Sequence, residues 1–151
     1  MGVDELCLIY SADVVARDLV SAFPFVVFTS GRRNLLEQAQ AMAANLMHNK
    51  RWIEQTYAPS PVRDACQEWV TNATEGASIS AGLLSVLRGF DDHQIARLSK
   101  HPAGLAFDVH PVPDPQGAAV KAWLYAKAAE VGGKFLERES SLTRWHFEMM
   151  S

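Results

Sequence analysis

The sequence predicts an α+β fold: a small antiparallel sheet packed with several helices. Two observations carry this expectation. Apolar residues recur at helical spacing through most of the first hundred positions, and the pattern changes to strand-type segments after Gly104. The last of these, Lys134–Glu139 and Leu142–Met149, are separated by only two residues and read as a hairpin.

The elements follow in order. Ser11 and Asp13 open an apolar-periodic run, Val14, Val15, Leu19 and Val20, that reads as a helix ended by Pro24. Phe25-Val26-Val27-Phe28 is short and β-rich, predicting a buried strand, and Thr29-Ser30-Gly31 reads as a turn. Asn34 caps a helix reaching about His48, with Leu35, Ala39, Met42, Ala43 and Leu46 on one face. Pro59-Ser60-Pro61 breaks the chain before a helix over Val62–Val70. Ser78–Leu87 reads as a further helix stopped at Gly89, and Asp91 or Asp92 caps a short one ending near Leu98. Gly104–Val109 is a strand, Pro111, Pro113 and Pro115 stiffen the following loop, and Ala118–Val131 is an Ala-rich helix ended by Gly132-Gly133.

With 151 residues, 48% hydrophobic and 21% charged, the chain fits one domain over residues 1–151, long enough to bury a core without a staple. The net charge of −3, with both signs scattered, argues against a nucleic-acid partner held by a basic field. No stretch approaches the roughly 20 apolar residues of a membrane span, so no membrane insertion is expected. The first five residues show no basic leader before an apolar core, which predicts synthesis in the cytoplasm without a signal peptide. Cys7 and Cys66 form no CxxC motif and are expected to be two buried thiols.

The chemistry-bearing residues are few: His101, Asp108 seven positions later, and His146 in the final strand. Side chains alternate along a strand, so Leu142, Arg144, His146 and Glu148 share one face. Thr143, Trp145, Phe147 and Met149 share the other, mostly apolar face and should pack on the helices. His146 is then left on the face that can line a cleft. Two histidines and a carboxylate suit a catalytic zinc site with its fourth position open. Zinc in such a site lowers the pKa of water to about 7 and polarises a carbonyl.

Three motifs sharpen this reading. Ser99-Lys100-His101-Pro102-Ala103-Gly104-Leu105-Ala106-Phe107-Asp108 fits SxHxxGxAxD, Trp145-His146 fits a WH element, and Thr29-Ser30-Gly31-Arg32-Arg33 is similar to a TSGYR turn. In this order they resemble the zinc D-Ala-D-Ala carboxypeptidases and dipeptidases and the phage L-alanyl-D-glutamate endopeptidases, within the lysostaphin-type, D-Ala-D-Ala-peptidase and Hedgehog-like metallopeptidase superfamily. The resemblance implies that His101, Asp108 and His146 bind Zn2+, that Arg33 grips a substrate carboxylate, and that Ser99 bonds the substrate or braces His101. It implies that Gly104 lets the backbone pass close beside the metal. It further implies a monomeric peptidase with the zinc on its small sheet, hydrolysing an amide next to a D-amino acid in peptidoglycan stem peptides. Made without a signal, it would act on the cell wall after release, as a phage-type endolysin does.

The chain departs from the family at one place. The glutamate or aspartate usual three residues before the last histidine is Thr143 here, and the additional histidine of the HxH relatives is Arg144. Threonine cannot act as a general base at neutral pH. Glu139, across the hairpin turn, is the expected catalytic base; Glu148, two residues beyond His146, is the alternative base or a partner that orients His146. A catalytically inactive wall-binding domain, or a structural component of a phage particle, is the rival reading that Thr143 favours.

The other polar and aromatic residues read more simply. Asp91-Asp92-His93 is a helix cap, His48 faces the C-terminal end of a helix dipole, Trp52, Tyr57 and Trp69 are core residues before they are groove residues, and Trp123 and Tyr125 on the Ala-rich helix are core. His110 shares the face of Asp108, as a supporting group or a solvent-side residue.

Overall fold

The computed structural model describes residues 1–139 and 142–150. It is a mixture of helices and one small antiparallel sheet, as an α+β class requires. The chain forms two compact units, Met1–Arg32 together with Ala103–Ser151, and Arg33–Pro102.

In the first unit a short 3-10 turn, Val3–Leu6, precedes helix α1, Tyr10–Ala22. Strand β1, Phe28–Ser30, and strand β2, Ala106–Val109, lie on either side of the second unit in sequence. Helix α7, Gln116–Val131, and the hairpin of β3, Lys134–Glu139, and β4, Leu142–Glu148, complete it. The sheet order is β1-β2-β4-β3, every neighbour antiparallel.

Period-two alternation decides what each face of this sheet does. Phe107 lies opposite Phe147, which lies opposite Phe135, and Val109 lies opposite Trp145. These rows are buried together with Ala12, Val15, Ala16 and Leu19 of α1 and Val120, Leu124 and Ala128 of α7. Phe107 stacks on Phe147 with ring centroids 5.2 Å apart, and Phe28 meets Phe107 edge-on at 5.4 Å. Such aromatic pairs add roughly 0.5–1.5 kcal/mol beyond area burial. The alternate rows, Ser30–Asp108–His146–Leu136 and Ala106–Glu148–Lys134, project to the opposite face.

The second unit is helical: α2 Leu35–Leu46, α3 Trp52–Thr56, α4 Pro61–Asn72, α5 Ile79–Leu87 and α6 Asp92–Leu98. Its helix starts follow their capping residues. Asn34 accepts from the Glu37 amide, Ser60 from Arg63 with Pro61 in the first turn, Ser78 from Ala81, and Asp91 from Gln94. Asp91 is therefore a cap, as its sequence setting implied.

Several details differ from the sequence expectations. The strand expected at Phe25–Phe28 begins only at Phe28 and takes in Thr29 and Ser30. Pro24 and Phe25 form a turn, which leaves Phe25 and Val27 exposed. Helix α1 begins at Tyr10, ahead of Ser11 and Asp13, with Ile9 as its N-cap. Helix α3 and the 3-10 turn carry no strong periodic signal because each is about one turn long. Tyr125 is half-exposed, not core; its ring packs edge-on against Phe135 and its hydroxyl donates to Glu137. Among the described residues no helix is long and apolar enough to cross a membrane.

The two cysteines also part company. Cys66 is fully buried on α4, and burial pushes its thiol up to about 12, whereas Cys7 is exposed in a left-handed conformation (φ 52°) at the end of the 3-10 turn. A disulfide-exchange reagent at neutral pH should therefore titrate one thiol in the native protein and a second only on unfolding. Cys7→Ser should abolish the fast reaction, and two fast thiols in the native state would contradict the burial of Cys66.

Gly31 passes hard against the N-terminal segment. A Cβ there would lie 2.5 Å from the Leu6 carbonyl oxygen, which already accepts the Arg32 N–H at 2.8 Å. Neither backbone can yield cheaply, so Gly31→Ala should destabilise the fold by about 1–3 kcal/mol in urea unfolding.

Candidate metal centre

Three buried side chains come together: one ligand atom each of His101, Asp108 and His146, all within 4.8 Å of one another. Asp108 and His146 are brought there by strand register, as directly opposed residues of β2 and β4. His101 lies in the turn after α6, seven residues before Asp108 in the chain.

Each of the three is held by a neighbour. Ser30 donates its hydroxyl to Asp108 Oδ2 at 2.6 Å, while Asp108 Oδ1 lies 2.9 Å from His146 Nδ1. The other ring nitrogen of His146, Nε2, lies 3.3 Å from Glu148 Oε1. The backbone N–H of His101 donates to Ser99 Oγ at 3.3 Å, and its carbonyl accepts the Arg33 N–H at 3.2 Å. Gly104 has a left-handed φ of 72°, and its carbonyl accepts the Ile9 N–H; a Cβ there would crowd the backbone of Cys7 and Ile9.

Two register slips aim polar residues at this face. In β1 the pairing jumps from Phe28–Val109 to Ser30–Asp108, so Ser30, and not Thr29, stands beside Asp108. In β3 it slips between Leu136 and Arg138, leaving Arg138 opposite Thr143 and Glu139 opposite Leu142. Without that slip Glu139 would face Thr143 on the core side; with it, Glu139 shares the face of His146. Its Oε1 lies 3.5 Å from His146 Nδ1, and its Oε2 lies 3.7 Å from Arg144 Nη1. Thr143 is exposed and pairs with Arg138 beyond the slip.

The electrostatics favour a cation. Burial alone would discourage a charged His146. The hydrogen bonds of its ring to Asp108 and Glu148, with the charges of Asp108 and Glu139, outweigh burial and push its pKa upward. Asp108, Glu139 and Glu148 all approach the His146 ring, and Arg144 approaches Glu139.

The donor set fits a metal such as zinc: two imidazoles and one carboxylate, all buried, with the far nitrogen of His146 held by a carboxylate as metal-binding histidines usually are. Arg33 is half-buried, and its guanidinium donates to Gln38 Oε1 at 3.5 Å; Gln38, itself fully buried, donates to the Tyr57 hydroxyl at 3.3 Å. His110 is exposed, with its backbone N–H bonded to the Val27 carbonyl.

Comparison with models of known protein families, with characterised proteins and with solved structures finds no match.

Sequence reasoning assigned no role at the site to Ser30 or Gln38. Ser30 was legible only as part of a turn, because the slip that sets it beside Asp108 has no sequence signature. Gln38 stands one position before the apolar stripe residue Ala39 of α2, and that spacing was its available signal.

The purified protein should bind one equivalent of Zn2+, measured by competition with a chromogenic chelator. His101→Ala, Asp108→Ala and His146→Ala should each abolish tight binding. Ser30→Ala and Glu148→Gln, which remove only supporting hydrogen bonds, should weaken it about 10–100-fold. Unchanged affinity in the three ligand variants would rule out this centre.

Proposed function

We propose that this protein is a zinc metallopeptidase that hydrolyses an amide bond next to a D-amino acid in peptidoglycan stem peptides, with a Hedgehog/D-Ala-D-Ala-peptidase-like fold and a phage-type endolysin role. One observation carries the reading. The two histidines and the aspartate that the SxHxxGxAxD and WH motifs pick out in the sequence form a single buried group of ligand atoms.

His101, Asp108 and His146 would hold the ion, with Ser30 and Glu148 fixing the orientation of Asp108 and His146. When bound, zinc supplies Lewis acidity, which acidifies water and polarises the scissile carbonyl. The chain's own residues do the rest. Arg33 offers a planar fork to a substrate carboxylate, the arrangement best suited to paired hydrogen bonds. Gln38 limits the freedom of that guanidinium. Glu139 accepts a proton from the attacking water and returns it to the departing amine. Its place on the His146 face answers the absence of a carboxylate at Thr143.

Thr143 also favours a second reading, a wall-binding or phage-structural domain that keeps the metal without hydrolysis. The two differ in one experiment. Isolated peptidoglycan is incubated with the protein, with and without a chelator followed by zinc, and released fragments are identified by mass spectrometry. Chelator-sensitive release, restored by zinc, is expected, and fragment masses name the bond. Glu139→Gln should lower kcat about 10²–10⁴-fold at unchanged zinc content. Zinc bound with no release from any wall preparation would leave only the binding or structural reading.

A further inference from the structure

The slip in β3 brings Glu139 to the His146 face, but it does not explain why a third carboxylate stays there. Asp108 and Glu148 already occupy the two nitrogens of His146, at 2.9 and 3.3 Å. Glu139 approaches the same ring at 3.5 Å with its side chain only 15% exposed. Like charges this close repel, and a glutamate at the end of an edge strand has rotamers that lead to water. Its second oxygen, however, lies 3.7 Å from Arg144 Nη1. Arg144 stands two residues before His146 on β4, at the register slip, and its guanidinium reaches the same carboxylate that approaches the His146 ring.

We propose that Arg144 is a positioning residue that holds Glu139 on the metal-facing side of the sheet. The inference rests on Glu139 as the proton-transfer group of the peptidase. The division of labour is geometric: one carboxylate oxygen is turned to the arginine, the other to the ring that would bind the metal. A guanidinium suits the task because it stays protonated at any working pH and accepts no proton itself. It can anchor Glu139 without competing for the proton that Glu139 carries. Arg144 thereby explains how a hairpin with threonine at position 143 keeps a carboxylate at the site.

Two readouts test this on the zinc-loaded full chain. The first needs no activity: the Nε–Hε NMR signal of Arg144 should move in Glu139→Gln and stay in Glu148→Gln. An Arg144 signal indifferent to Glu139→Gln overturns the proposal. The second is kinetic, on a wall-derived stem peptide. Arg144→Met should lower kcat about 10²-fold, the typical cost of misplacing a reacting group by an ångström, with KM and zinc content nearly unchanged. Arg144→Lys should recover part of the loss, and Arg144→Met should cost nothing further in a Glu139→Gln background. A rise in KM at constant kcat would make Arg144 a substrate contact, and loss of zinc would make it a prop of the metal site; either result overturns the proposal. A wild-type protein that hydrolyses nothing while the Arg144 signal still responds to Glu139→Gln would refute the peptidase reading and leave the pairing intact.

Discussion

The opposition of Asp108 and His146 across β2 and β4 is the constraint on which the rest of the site depends. A buried carboxylate beside a buried imidazole is costly unless the remaining polar atoms find partners. Ser30 supplies one on the aspartate side and Glu148 supplies one on the histidine side. The row of polar groups is continuous from β1 to β4, and its opposite face is the aromatic core of Phe107, Phe147 and Phe135. The packing that stabilises the sheet is therefore the packing that fixes the site, since a slip of one residue would exchange the two rows.

Much of this was legible from the residues. The alternation in Leu142–Met149 correctly separated His146 and Glu148 from Trp145 and Phe147, because one face of β4 is apolar enough to leave no doubt about which side is buried. The caps Asn34 and Asp91 marked helix starts for the same local reason: each side chain bonds an amide three residues ahead. What stayed hidden depends on partners distant in sequence. Whether Asp108 pairs with His146, which residue of Thr29-Ser30 faces it, and on which side Glu139 emerges are matters of register. Register is set by the whole sheet, not by any segment.

The misreadings have the same origin. Phe25 to Phe28 has the composition of a buried strand, yet Pro24 commits Phe25 to a turn and pairing with β2 starts only at Phe28. Tyr125 occupies an apolar helix, but its hydroxyl finds Glu137 at the surface. In each case local propensity was overruled by where hydrogen-bond partners became available.

The slip between Leu136 and Arg138 has a consequence for how such a hairpin can change over evolutionary time. Two β4 residues, Arg144 and Trp145, lie against Glu137 alone, so deleting one β4 residue there would restore regular pairing and set Glu139 opposite the apolar row, while hardly altering composition or hydropathy.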